Sequence, residues 1–195
     1  MLLYTMSSEE IYKEALKDLP YATDRFSGLC EKYKKYRFMK KKDWVFVGVS
    51  KYTTDRNNFL QIYAYVKKGG IAFIPVFRVS NGRCTKIIVK TYKGGLLEIS
   101  SHFLDRWQER NPEDKTIRGL IEETCLNGVL FRPESNEGEE YRCQLRDGIC
   151  FCNVDSIGRY IVFKTFVPNN MLGDNQKEIV KSLKSGEELY SKLYV

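Results

Sequence analysis

The sequence predicts an α+β protein: N-terminal helices, an antiparallel strand-rich meander, a helix pair, a three-stranded antiparallel segment and a C-terminal helix. Three observations carry this reading. A capping box opens the first amphipathic stretch. From residue 44 to residue 100 the hydrophobic period is that of strands. A second helical stretch then precedes three more strand-like runs. With 195 residues, 43% of them hydrophobic and 13% aromatic, the chain can bury a sizeable core. Pattern and charge divide it into a basic helical and strand-rich region, 1–98, and a second region, 99–195, expected to pack as one compact unit.

Taken in order, Ser7 followed by Glu10 makes the capping box for a helix with Ile11, Ala15 and Leu16 on its apolar face, ending before Pro20. A second helix is expected from about Thr23 or Asp24, with Phe26, Leu29 and Tyr33 on one face. The runs WVFVGV, FLQIYAYV, IAFIPVF, TKIIVKTY and LLEIS follow, separated by Asp55-Arg56-Asn57-Asn58, Gly69-Gly70, Asn81-Gly82 and Gly94-Gly95. Several are apolar on both faces, which predicts a sheet covered on both sides. Ser100 and Ser101 can cap a helix that stops at Asn111-Pro112. A second helix places Ile117, Leu120, Ile121 and Cys125 inward and closes at Asn127-Gly128. An acidic loop, RPESNEGEE, leads into EYRCQLR, ICFCNV and RYIVFKTFV, with turns at Asp147-Gly148 and from Asp155 to Gly158. A last helix starts near Asn175, with Glu178 three residues on and Ile179, Val180 and Leu183 on its apolar face.

Composition narrows the class. No apolar run approaches the roughly 20 residues that span a bilayer, and the opening MLLYTM is too short for a signal-peptide core, so a cytoplasmic protein without membrane partners is expected. The six cysteines, Cys30, Cys84, Cys125, Cys143, Cys150 and Cys152, lack zinc-site spacing and read as core thiols; no metal or cofactor is expected. A two-residue turn at Asp147-Gly148 would place Cys143 opposite Cys152, a geometry that allows a disulfide but that a reducing compartment disfavours. The net charge of +7 is uneven. Residues 1–99 hold 19 lysines and arginines against 9 acidic residues, whereas residues 100–195 carry an acidic excess. Much of the surplus lies in KYKKYRFMKKK, where Lys32, Lys34, Lys35, Arg37, Lys40, Lys41 and Lys42 interleave with Tyr33, Tyr36 and Phe38. Clustered cations bind phosphates and release counterions, and aromatics stack on bases, so RNA or a nucleotide is the expected partner. The same run also fits a solvated helix end whose aromatics face the core.

The single histidine, His102, opens ISSHFLDRWQER and is followed at four-residue spacing by Arg106 and Arg110. On a helix these form one slowly drifting stripe, so one phosphate can touch two of them. In the first turn, the helix dipole disfavours imidazolium and leaves the ring available as a base near neutral pH.

From Ile99 to about Val167 the chain resembles small bacterial domains with the pattern S-x-H-x-x-x-R-x-x-E-R followed by a strand ending in a hydroxyl residue. The matching residues are Ser101, His102, Arg106, Glu109 and Arg110, with Lys164 and Thr165 on the closing strand. Those domains are similar to the barnase, EndoU, colicin and RelE-like (BECR) superfamily. The resemblance implies a metal-independent endoribonuclease or toxin-like nuclease. His102 would take the 2′-hydroxyl proton, Arg106, Arg110 and Lys164 would hold the growing phosphate charge, and Thr165 would orient an oxygen. With one histidine, a two-histidine mechanism is excluded. Adjacent strand residues point to opposite faces, so Lys164 and Thr165 share a cleft only if a bulge intervenes; of the two, Lys164 is favoured for the cleft, because a buried lysine beside Val162 and Phe166 needs a partner or a purpose. Arg142 and Gln144 share the polar face of their strand. Two other classes fit the sequence. One is a non-catalytic regulator or counter-defence factor that binds nucleotide, RNA or protein; the other is a protein-interaction domain, with an inhibitory or target protein as its partner.

Overall fold

The computed structural model describes residues 1–91, 95–110, 116–127, 129–131, 140–154, 159–174 and 177. The expected acidic loop over 132–139, the turn from Asp155 to Gly158, the helix stops at Asn111-Pro112 and at Gly128, and the C-terminal helix from Asn175 lie outside the described residues.

Helix α1 (Ser8–Leu16) begins where the capping box places it: the Ser7 hydroxyl accepts from the Glu10 N–H, and the Glu10 carboxylate accepts from the Ser7 N–H at 2.8 Å. Ile11 and Ala15 are fully buried, but Leu16 is exposed, since each residue turns about 100° around the helix and carries it off the stripe. Helix α1 ends before Pro20, as expected, and Pro20 itself lies in the first turn of a further short helix, α2 (Leu19–Asp24), where the missing N–H has no intrahelical partner to lose. Helix α3 (Phe26–Tyr33) buries Leu29 and Tyr33 and runs into a 3-10 turn, Lys34–Phe38.

All five expected strands of the meander form: β1 (Val45–Thr53), β2 (Phe59–Lys67), β3 (Gly70–Ser80), β4 (Thr85–Lys90) and β5 (Leu96–Ile99). Then comes α4 (Ser101–Arg110), where the Ser100 hydroxyl accepts from the Phe103 N–H at 3.2 Å. Helix α5 (Ile117–Glu122), capped by Thr116, continues as a π-helical turn over Glu123–Asn127. The short strand β6 (Val129–Phe131) adds to the three expected ones, β7 (Glu140–Leu145), β8 (Gly148–Val154) and β9 (Tyr160–Pro168).

Among the described residues the nine strands make one sheet in the order β1-β2-β3-β4-β5-β9-β8-β7-β6, so the two regions read from the sequence share it. Every neighbouring pair is antiparallel except β5 and β9, which run parallel. A parallel pair needs a crossover, and here everything from α4 to β8 supplies it. Helices α1–α3 cover one face, with Ile11, Ala15 and Leu29 against Leu60, Ile62, Phe77 and Ile88. Helices α4 and α5 cover the other, with Phe103, Trp107, Leu120 and Ile121 against Val76, Ile87, Leu97, Ile99 and Phe163. Strand β5 shows why its neighbours read as apolar on both faces: Leu96 packs under the N-terminal helices, and Leu97 and Ile99 under the other pair. Glu98 is also buried on β5. It accepts from the Tyr160 hydroxyl and pairs with Lys86 at 3.3 Å, which ties the parallel junction together.

The β7–β8 hairpin corrects one expectation. Its turn is Arg146–Asp147, Leu145 faces Gly148, and Cys143 therefore lies opposite Cys150, not Cys152. Gly148 serves as the first strand residue, selected by close packing: a Cβ there would overlap the Val167 carbonyl and come within 2.7 Å of the Phe166 ring. All six cysteines are free thiols, and burial raises those of Cys143, Cys150 and Cys152, the last to about 12. Among the described residues, no helix is long and apolar enough to cross a membrane.

Candidate nucleic-acid interface and the His102 helix

The basic run splits into three kinds of residue. Tyr33 is buried and Tyr36 half-buried, as a core-facing helix end requires. Lys32, Lys34 and Lys35 are held locally: Lys32 donates to the Ser50 hydroxyl at 3.1 Å, Lys34 pairs with Glu31 at 3.3 Å, and Lys35 lies 5.1 Å above the Tyr36 ring. Beyond the 3-10 turn the character changes. Phe38 is 88% exposed, and Lys40, Lys41 and Lys42 are exposed with no acidic partner among the described residues. Arg37 lies on the turn, its side chain outside the described residues.

The fold adds cations that the run alone does not contain. The Lys41 carbonyl accepts from the Lys68 N–H at 2.8 Å, which brings the β2–β3 turn alongside. Lys68 is exposed there, and the Lys67 ammonium lies 4.5 Å from the Trp44 ring. The pair Lys67-Lys68 before Gly69-Gly70 was visible in the sequence, but only the hairpin placed it beside Lys41. This surface lies at the free edge of β1, which carries exposed Lys51 and a bulge between Phe46 and Gly48; both features discourage strand-to-strand aggregation.

Helix α4 buries Phe103 and Trp107, whose rings lie 5.2 Å from Phe163 and 4.6 Å from Phe166. His102 is exposed in the first turn. Four-residue spacing leaves a drift of about 40° per step, so the stripe rotates toward the sheet along the helix. Arg106 is half-buried and pairs with Glu109 at 2.9 Å on the same helix, and Arg110 reaches the sheet, donating to the Phe166 carbonyl at 2.7 Å. Arg110 is thus used to dock the helix, while His102 stays exposed and Arg106 is held by Glu109.

On β9 a bulge does intervene. Thr165 faces Phe151 and Phe163 faces Cys152, which leaves Lys164 unpaired between them. The extra residue lets Phe163 and Phe166, three apart, both pack under α4. Lys164 is exposed, against the expectation of burial, because the bulge pushes it out of the ladder. Thr165 shares the face of Phe151, which packs with Ile149, Val167 and Leu172 away from α4. His102 and Thr165 therefore lie on opposite sides of the sheet, and the five residues expected to act together do not form one cluster. Among the described residues, no group of three or more histidine, cysteine, aspartate or glutamate side chains is placed to hold a metal ion.

No family model, curated protein or solved structure matches this chain.

Proposed function

We propose that the protein binds single-stranded RNA through the surface formed by the 3-10 turn after α3, the start of β1 and the β2–β3 turn. One observation carries the reading: Phe38, an aromatic ring 88% exposed, stands at the head of three exposed lysines. An exposed phenylalanine has no folding role to account for it, but it offers a stacking platform to an unpaired base, while the lysines follow the phosphates. The test is binding of a fluorescent single-stranded RNA across a salt series. Replacing Lys40, Lys41 and Lys42 by glutamine is expected to weaken binding to all sequences alike and to lower the log–log salt slope by roughly 0.7 for each phosphate no longer neutralised. Phe38→Ala is expected to weaken binding by about 5- to 150-fold with an unchanged slope. A wild-type slope near zero would overturn the reading.

A second reading is supported by His102, exposed at the start of α4 with Arg106 one turn away on the same side. It is metal-independent RNA cleavage by a BECR-like domain, with His102 as base and Arg106 as phosphate ligand. Cleavage in chelator that falls by roughly two to four orders of magnitude in His102→Gln supports it; RNA bound and left intact returns the protein to the binding class.

A further inference from the structure

The half of the sheet formed by β7, β8 and β9 carries polar groups that the fold leaves unused. Arg142, Phe151 and Thr165 are directly opposite one another across the three strands, and Gln144, Ile149 and Val167 form the next row on the same face. The Arg142 guanidinium lies 5.0 Å above the Phe151 ring, an arrangement that fixes its plane, and its Nε is buried without a hydrogen-bond partner. Gln144 is only 7% exposed beside the Ile149–Leu172 cluster, and its Oε1 has no hydrogen-bond partner either. Two adjacent unsatisfied groups of this kind are costly in a folded protein and call for a reason. Exposed Lys164, at the bulge next to Thr165, adds a second cation beside this row.

We infer that this face is a binding site for a small phosphate monoester whose organic half carries an N–H or O–H donor. The chemistry is complementary on both counts. Arg142 presents planar donors and positive charge, which suit a phosphate, and the Thr165 hydroxyl, in the same cross-strand row, adds a further donor. Gln144 Oε1 lacks a donor, which a ribose hydroxyl or a nucleobase N–H supplies. The site is separate from the Lys40–Lys42 surface and does not depend on the reading of that surface.

Calorimetric titration with uridine 5′-monophosphate, inorganic phosphate and uridine tests it, with melting temperatures of the unliganded variants recorded in parallel. The monophosphate is expected to bind more tightly than either half. Arg142→Met is expected to weaken binding of both phosphates by roughly ten- to a hundredfold, the worth of a charged hydrogen bond. Gln144→Leu is expected to erase the advantage of the monophosphate over inorganic phosphate and to raise the melting temperature of the free protein, because a buried unsatisfied acceptor is gone. The inference is overturned if neither phosphate binds, if Arg142→Met binds both as the wild type does, or if Gln144→Leu keeps the preference.

Discussion

His102, Arg106 and Arg110 share a spacing but not a role, and single substitutions separate them. Arg110 holds the Phe166 carbonyl, so Arg110→Met is expected to destabilise the protein by about 1–3 kcal/mol in urea denaturation. Arg106 pairs with Glu109 where the two side chains keep 42% and 59% of their surface in solvent, and Arg106→Met is expected to change stability by less than about 1 kcal/mol. Loss of RNA cleavage in Arg106→Met without loss of stability would be the mark of a phosphate ligand. Glu14 gives a pH prediction of a different kind. Its carboxylate is 10% exposed and accepts from the Met1 amino group at 2.7 Å, from Lys17 at 2.9 Å and from the Arg56 Nε at 2.9 Å. Led by the Met1 amino group, these partners push it down to about 2, below the value of roughly 4.3 for a free glutamate. A lowered folded-state value means the stabilisation is complete above about pH 4.3 and is lost as pH falls toward 2. Thermal melts between pH 2 and pH 6 should show that acid limb in the wild type, and a shallower one in Glu14→Gln.

At the level of elements, the β7–β8 hairpin and the bulged β9 act as one packed unit. Gly148 has no room for a methyl group against Val167 and Phe166, and Gly148→Ala is expected to cost about 1–3 kcal/mol by overpacking, measured by chemical denaturation. The thiols report on the same unit. Cys143, Cys150 and Cys152 are buried with raised values, so in the native protein a thiol reagent is expected to reach half-buried Cys30 and Cys84 first. The three strand thiols should react at the rate of unfolding. Rapid modification of all three under native conditions would mean the hairpin opens independently of the rest.

Across the whole molecule, the parallel pairing of β5 with β9 makes the two halves of the chain interdependent. Residues 1–98 alone would end within β5 and leave its edge without β9, and Leu97 without α4 and α5 above it. A fragment of residues 1–98 is therefore expected to lack native-like dispersion in its amide spectrum, and the full chain to unfold in one cooperative transition. A well-dispersed spectrum from that fragment would show that the meander is a domain in its own right.

What depends on neighbours along the chain was legible in the residues themselves. The capping box set the start of α1, Ser100 set that of α4, and the change of period at residue 44 marked the strands, because caps and side-chain alternation are local properties. The basic run and the lone histidine were legible there too. The rest depended on contacts between distant segments. Whether β9 pairs parallel with β5 depends on a partner about sixty residues away, which no local pattern encodes. The turn at Arg146–Asp147 was misplaced by one residue because Gly148 is glycine for the sake of the neighbouring strand, and a turn and a close approach read alike in sequence. The bulge at Lys164 separated Thr165 from His102, and the drift of α4 gave Arg110 to Phe166. Likewise Arg142 and Gln144 gained weight as ligands only when their unsatisfied atoms and their neighbours across the strands came into view. Residue type gives the chemistry available, but which groups meet and which are left without partners is fixed by packing between distant segments.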